Sequence, residues 1–263
     1  MENGRGSIAV DFSGRAVLIT GAEGVIGAAT ARRFAASGAD LCLAGIGDLG
    51  PLVTELTEFG GRVMSRVTDV SDKAQVVGLV EETVEYFGGV DILVTVAGVT
   101  ALGSFESITL ETWERVHGIN LRGVFLCNQA VIAPMKAKGY GRIINIGSVL
   151  AKNGGNPRPW LDPTEQERAG NAAYGSAKAG VHALTIFLAK ELAAHGITVN
   201  AVAPGPIASP MTTSFPEALI RQLPVGRMGS AGQVAAAIAF LAAEESAFIT
   251  GEILDVNGGL WMD

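Results

Sequence analysis

Seven short apolar runs rich in β-branched residues, near 15–20, 40–45, 62–67, 90–95, 142–147, 197–203 and 252–256, alternate along the chain with longer segments of helical period. The helical segments lie near 25–37, 50–59, 72–87, 111–138 (broken around Gly118), 171–194 and 230–243. This alternation is the signature of βαβ units, and it predicts an α/β fold with one doubly wound parallel sheet of seven strands and helices on both faces. Right-handed crossovers then leave the carboxyl ends of the strands as the place where ligands bind. The chemistry of the chain is therefore expected in the loops that follow strands.

With 263 residues, 48% of them hydrophobic and 17% charged, the chain can bury one large core and shows no break in composition. A single domain over residues 1–263 is expected, with an inserted loop at 150–170 beside the substrate pocket. The net charge of −7 and the absence of a long Lys/Arg run argue against nucleic acid or an anionic membrane as partner. A small molecule is the expected ligand. Cys42 and Cys127 form no C-x-x-C pair, and His117, His182 and His195 lie scattered, which matches no metal-ligand spacing. Buried thiols in a reducing compartment and no metal are the expectation. The first 15 residues carry no apolar stretch of signal-peptide length, and the run from Val234 to Ala243 is half of a membrane span. A soluble, cytoplasmic protein is expected.

Three features carry chemistry. Gly21, Gly24 and Gly27, around Ile26, fall where the first strand turns into a helix. Glycines there let backbone N–H groups approach a pyrophosphate at a positive helix terminus, although a plain strand-to-helix turn has the same composition. Tyr174 and Lys178 lie at i and i+4 of a helical segment and share one face. A cation about 4 Å from a phenol, at an effective dielectric near 20, is worth roughly 4 kcal/mol, or about 3 units off a pKa of about 10. A phenol so tuned can exchange a proton with an alcohol or carbonyl; the plain alternative is an exposed pair on a solvated face. Finally, the stretch from Ser148 to Gly170 is polar, with three prolines and Trp160, and loops of this length are usually functional or mobile.

In order and spacing, over nearly the whole chain, these residues resemble the short-chain dehydrogenase/reductase family, which implies a Rossmann-type sheet and a nicotinamide cofactor. The family's glycine motif, TG-x-x-x-G-x-G, is matched by Thr20, Gly21 and Gly27; Val25 stands at the middle glycine and Gly24 one place early. Asp69 and Val70 resemble the pair that contacts adenine, Asp69 being equally readable as a helix N-terminal acid. Ala97 and Gly98 match half of the family's N-N-A-G, where they let the cofactor ribose approach. Thr95 replaces the first asparagine, and a polar link to the neighbouring strand is expected to be lost. Pro204, Ile207 and Ser209 look like the loop that touches the nicotinamide carboxamide, the alternative being an ordinary proline turn. The acidic residue expected at the end of the second strand is Gly45 here; Asp48 either substitutes for it or caps the next helix. No Arg or Lys lies in the glycine loop, and Glu23 would repel a 2′-phosphate, so NAD is expected, with NADP left open.

The resemblance also implies a catalytic set. Ser148, after Gly147 in place of the family's first serine, would donate a hydrogen bond to the substrate carbonyl. Tyr174 would be the general acid/base. Lys178 would bond the ribose hydroxyls and lower the phenol pKa, and Asn120 would hold a water leading to Lys178, unless it is simply a satisfied buried amide. Ser148 and Tyr174 stand 26 residues apart, more than the family usually shows, so the insertion would form a lid or specificity wall with Trp160 as a stacking face, or else a surface or subunit contact. The function implied is NAD(P)-dependent interconversion of a secondary alcohol and a ketone. An enoyl reductase is disfavoured because Gly180 and Val181 stand where its more distant lysine would be. A catalytically inactive nucleotide-binding scaffold is the contrasting reading. A homo-tetramer or homo-dimer is expected through the last strand and the apolar helices at 120–138 and 171–194.

Overall fold

The computed structural model describes residues 10–155, 159, 160, 162, 164–209 and 217–262. Its seven strands are β1 (Ala16–Thr20), β2 (Asp40–Gly45), β3 (Val63–Val67), β4 (Ile92–Thr95), β5 (Gly141–Ile146), β6 (Ile197–Pro204) and β7 (Ile253–Val256). All pair in parallel, in the order β3-β2-β1-β4-β5-β6-β7. The chain winds outward from β1 to β3, then returns to place β4 on the other side of β1. That reversal opens a crevice at the carboxyl ends of β1 and β4.

The helices are α1 (Val25–Ala35), α2 (Gly50–Thr57), α3 (Lys73–Phe87), α4 (Leu110–His117), α5 (Gly123–Lys138), α6 (Leu150–Asn153), α7 (Glu165–Ala169), α8 (Ala172–Leu192), α9 (Glu217–Ile220) and α10 (Ala231–Ala242). Alternation along β1 divides the core in two, because successive side chains of a strand point to opposite faces. Val17 and Ile19 pack with Phe34 of α1, Leu56 of α2 and Ile238 of α10. Leu18 packs on the other face with Leu79 of α3, Val131 of α5 and Leu192 of α8. Cys42 and Cys127 are buried in this second layer, where burial pushes their thiols up to about 11 and about 12.

The break expected around Gly118 in the helix predicted over 111–138 is a π-helical turn over Gly118–Arg122, a bulge within a continuous helical path. One segment differs from expectation. The segment predicted as a loop at 150–170 contains α6 and α7; residues 156–158, 161 and 163 lie outside the described residues. Lys152 ties this insertion to the last strand, donating from Nζ to Asp255 Oδ2 at 2.9 Å. Polar composition concealed a helical turn that tertiary anchoring stabilises.

Candidate active site

Tyr174 occupies the third position of α8, held there by Ala173 and Ala177, which pack on Val116 in a small satellite core that also takes in Val99, Trp113 and Leu121. One turn on, Lys178 is 2% exposed. Its Nζ donates to the Ile146 carbonyl at the end of β5 at 2.6 Å and lies 5.7 Å from the centroid of the Tyr174 ring. Lys178 is thus buried and Tyr174 partly buried, so the pair is not an exposed one on a solvated face. Its electrostatics nevertheless correct the sequence expectation. Burial drives the Lys178 ammonium down to about 8. Burial also raises the Tyr174 phenol above its ordinary value, and the hydrogen bond with Ser148 pulls it back down. Packing that brings the two groups together strips water from both, and desolvation outweighs the attraction the ammonium would exert in a wetter setting.

Ser148 is 5% exposed and sits between β5 and α6. Its Oγ accepts from the Leu150 N–H at 3.2 Å and its side chain meets the Tyr174 hydroxyl. Its own N–H donates to Nε2 of His182 at 3.3 Å. Sequence reading passed over His182 as one of three scattered histidines. The signal was present: it stands one turn beyond Lys178, opposite the glycine at 147. A Cβ on Gly147 would lie 2.1 Å from His182 Nε2, so the imidazole fills the slot of the missing side chain.

Asn120 lies inside the π-turn and is fully buried. Its Oδ1 accepts from the Val99 N–H at 2.9 Å and its Nδ2 donates to the Val99 carbonyl at 2.7 Å. The amide therefore braces the segment after β4, as the satisfied-amide alternative expects. The same segment corrects another expectation. Thr95 Oγ1 donates to Asn145 Oδ1 at 2.8 Å, and Asn145 Nδ2 donates to Thr185 Oγ1 at 3.1 Å. The polar link between β4 and β5 survives with threonine in place of asparagine.

The glycine turn packs directly on the end of β4. Gly21 has φ +63°, and a Cβ there would stand 2.6 Å from the Ala97 backbone; one on Gly27 would stand 2.2 Å from the Gly21 carbonyl. Gly24 is the N-cap of α1 and offers no side-chain cap, and the first turn holds no acidic residue. By contrast Asp72, Thr109 and Ser230 cap α3, α4 and α10. The first N–H groups of α1 are thus left for an anion at the mouth of the crevice. Val25 opens the helix with its side chain 40% exposed, and Ile26 packs against the first core layer. A Cβ on Gly98 would meet Asn120 Oδ1 at 2.7 Å and Lys178 Nζ at 3.8 Å, so Gly98 borders the same space as Lys178. An uncapped helix terminus and glycines that a Cβ would close fit the phosphates and ribose of a dinucleotide.

The remaining candidates divide. Asp69 is exposed and its Oδ1 accepts from Ser71 N and Oγ at 2.8 and 2.7 Å, just before α3, while Val70 is buried against Gly123. Asp48 is exposed and its Oδ1 accepts from Gly50 N at 2.9 Å, an Asx turn just before α2, whose N-cap is Leu49. Beside it, Glu23 reaches from the glycine turn to the end of β2. The loop after Pro204 is no simple proline turn. Val149 N donates to the Pro204 carbonyl, Ile207 bridges to Gly229, and Ala208 N donates to Gly229 O at 2.9 Å. Ser209 follows directly, partly buried. Trp160 is 43% exposed.

A family model described as "Enoyl-(Acyl carrier protein) reductase" matches residues 21–261. The chain is 40% identical to (2S)-[(R)-hydroxy(phenyl)methyl]succinyl-CoA dehydrogenase subunit BbsD of Thauera aromatica, over 93% of this chain and 96% of that protein. It is 37% identical to the 3-oxoacyl-[acyl-carrier-protein] reductase FabG of Escherichia coli, over 96% of this chain and 100% of the relative. Among solved structures, a short-chain type dehydrogenase/reductase from Mycobacterium marinum superposes with a TM-score of 0.86 at 30% identity, covering 96% of this chain and 98% of that one. Levodione reductase superposes with a TM-score of 0.84 at 33% identity, covering 94% and 98%. Among the described residues, no helix is long and apolar enough to cross a membrane.

Proposed function

The chain belongs to the short-chain dehydrogenase/reductase family of oxidoreductases acting on CH–OH groups, and from that premise we propose that it interconverts a secondary alcohol and a ketone with a nicotinamide dinucleotide, Tyr174 serving as general acid/base. The observation that carries this reading is the convergence of Ser148, Tyr174 and the buried Lys178 at the end of β5: Lys178 Nζ lies 5.7 Å from the Tyr174 ring centroid and donates to the Ile146 carbonyl, two residues before Ser148. When bound, the nicotinamide supplies or accepts the hydride. Gly21, Gly24, Ile26 and Gly27 would hold its phosphates, Asp69 and Val70 its adenine end, Ala97, Gly98 and Lys178 its ribose, and Pro204, Ile207 and Ser209 its carboxamide end.

Ser148 Oγ accepts from Leu150 N, and its O–H, which otherwise points to the Tyr174 phenol, would turn to the substrate oxygen and stabilise the charge that develops there. Tyr174 gives its proton to that oxygen in reduction and takes it back in oxidation. A desolvated phenol is a poor acid by itself. With the Ser148 O–H turned to the substrate, the nearby Lys178 ammonium is the group that would favour the phenolate once substrate and cofactor close the site. Asn120 holds the floor of the ribose pocket through Val99. The spacing from Tyr174 to Lys178 supports carbonyl over enoyl reduction, and the relatives' names point to carbonyls or hydroxyls of acyl thioesters as the first substrates to try. Trp160, with the exposed Leu102 and Phe105, offers apolar surface for the acyl part.

Nothing in the site favours the inactive reading. One sheet that carries both the glycine turn and the Ser148–Tyr174 pair supports a single domain over 1–263, and β7, an edge strand, supports a homo-dimer or homo-tetramer, which light scattering would test. A cytoplasmic location is the corresponding reading of its address. The test of function is titration with NADH and NADPH, followed by turnover of a panel of ketones and 3-oxoacyl thioesters by wild type and Tyr174→Phe. Turnover lost in the variant with dinucleotide binding retained supports the assignment. Tight dinucleotide binding without turnover of any carbonyl would overturn it.

A further inference from the structure

Gly45 ends β2 at the position where an acidic side chain would be expected to meet a ribose 2′-hydroxyl. The structure shows what occupies the space of a side chain there. A Cβ on Gly45 would stand 2.0 Å from Oε2 of Glu23, and 2.6 Å from its Cδ. The Glu23 carboxylate already fills the volume that a side chain at 45 would enter. It is held over the strand end by two backbone donors: Oε1 accepts from Ile46 N at 3.0 Å and from Gly47 N at 3.3 Å. Gly47 is part of the same accommodation, since a Cβ there would lie 3.2 Å from Glu23 Cγ. Among the described residues, Oε2 accepts no hydrogen bond and remains available to a ligand hydroxyl.

Charge around the carboxylate has one sign. No Lys or Arg occurs in residues 16–31 or 40–61. Arg66, on the neighbouring strand, is turned to Glu82 at 2.7 Å, and Arg32 is paired with Glu55. Asp48, the other acid nearby, is engaged at the start of α2. A phosphate brought to this corner would face a held carboxylate, with Arg32 and Arg66 already paired to Glu55 and Glu82.

We propose that Glu23 performs, from the glycine turn, the selection usually made from the end of the second strand: its carboxylate receives the ribose 2′-hydroxyl of an unphosphorylated dinucleotide and rejects a 2′-phosphate. Glu23 and Gly45 form a complementary pair, in which the carboxylate of one occupies the space left open by the other. This rests on the nicotinamide-dependent reading above.

Calorimetric titration of NADH and NADPH into wild type, Glu23→Gln, Glu23→Ser, Gly45→Asp and the Glu23→Ser/Gly45→Asp double variant tests it without reference to turnover. Wild type is expected to favour NADH by about tenfold or more, and Glu23→Gln, which keeps the shape and removes the charge, to lose most of that preference. Gly45→Asp alone is expected to weaken both ligands, because the new side chain displaces Glu23. The double variant is expected to regain the preference for NADH. An unchanged NADH/NADPH ratio in Glu23→Gln and Glu23→Ser, or a wild type that binds NADPH as well as NADH, would overturn the assignment while leaving the oxidoreductase reading intact. Failure of wild type to bind either dinucleotide would overturn both.

Discussion

The backbone N–H of Ser148 donates to Nε2 of His182 at 3.3 Å, and the imidazole occupies the space from which a Cβ on Gly147 is barred. A residue outside the reacting set thus fixes the main chain that carries the substrate-orienting hydroxyl. His182 acts through Ser148 and is a positioning residue.

Truncating it should therefore disturb turnover more than dinucleotide binding. His182→Ala is expected to lower kcat by about tenfold, with NADH affinity unchanged, because an unsupported Ser148 loses part of its orientation. Adding Gly147→Ser should restore part of kcat, since the slot is then free. Steady-state kinetics and dinucleotide titration of the three proteins would separate this from general loss of structure, which would lower both parameters.

Lys178 trades stability for function. Its ammonium titrates near 10.5 in the unfolded chain and near 8 in the fold. At neutral pH the fold therefore carries a burial cost of roughly 3 kcal/mol. Between those two pH values the unfolded chain binds more protons, so stability rises with pH through that window. Lys178→Met removes the cost and gives up a hydrogen bond to Ile146 worth about 1 kcal/mol, for a net gain of about 2 kcal/mol at pH 7 together with loss of turnover. Urea unfolding of both proteins at pH 7 and pH 10 would show the gain and its disappearance; equal pH slopes would contradict it.

Ser148 lowers the phenol pKa of Tyr174 against the pull of burial. Ser148→Ala should raise it further and reduce kcat by about a hundredfold or more, through loss of the donor to the substrate oxygen. Only Tyr86, Tyr140 and Tyr174 contribute to the alkaline phenolate absorbance, so subtracting the curve of Tyr174→Phe isolates the one that matters. A Tyr174 titration unmoved by Ser148→Ala would show that the bond has no influence.

The Thr95–Asn145–Thr185 chain crosses from β4 through β5 to α8, wholly buried. Thr95→Val keeps the shape and leaves Asn145 Oδ1 without its donor, at a cost of about 1–3 kcal/mol. Thr95→Asn should cost less. Chemical denaturation at fixed pH measures both, and a Val variant as stable as wild type would remove the brace from the account.

Much of this protein was legible in its sequence, for reasons that can be named. All seven strands and the six long helical segments fall within a few residues of where periodicity put them, because burial on both sheet faces demands continuous apolar runs and a helix between parallel strands. Tyr174 and Lys178 stand out by their spacing of four and Ser148 only through the family resemblance; the fold brings Lys178 beside Tyr174 and against the end of β5, which leads into Ser148. The glycine turn was readable because backbone approach admits no side chain.

What escaped the sequence depends on side chains meeting from distant positions. Whether Lys178 would lower the Tyr174 pKa could not be read from a spacing of four, since the answer turned on how much water packing removes. That Thr95 would replace an asparagine as brace required knowing that Asn145 and Thr185 lie opposite it. Each of the two unexpected glycines, Gly45 and Gly147, read in isolation as a missing functional side chain. In the fold, each is the gap that another residue enters, Glu23 in one case and His182 in the other. Local preference along the chain determined the elements and their order. Only the tertiary structure decided which side chain fills each vacated volume, because volume and dielectric are properties of the assembled interior and not of any one position in the chain.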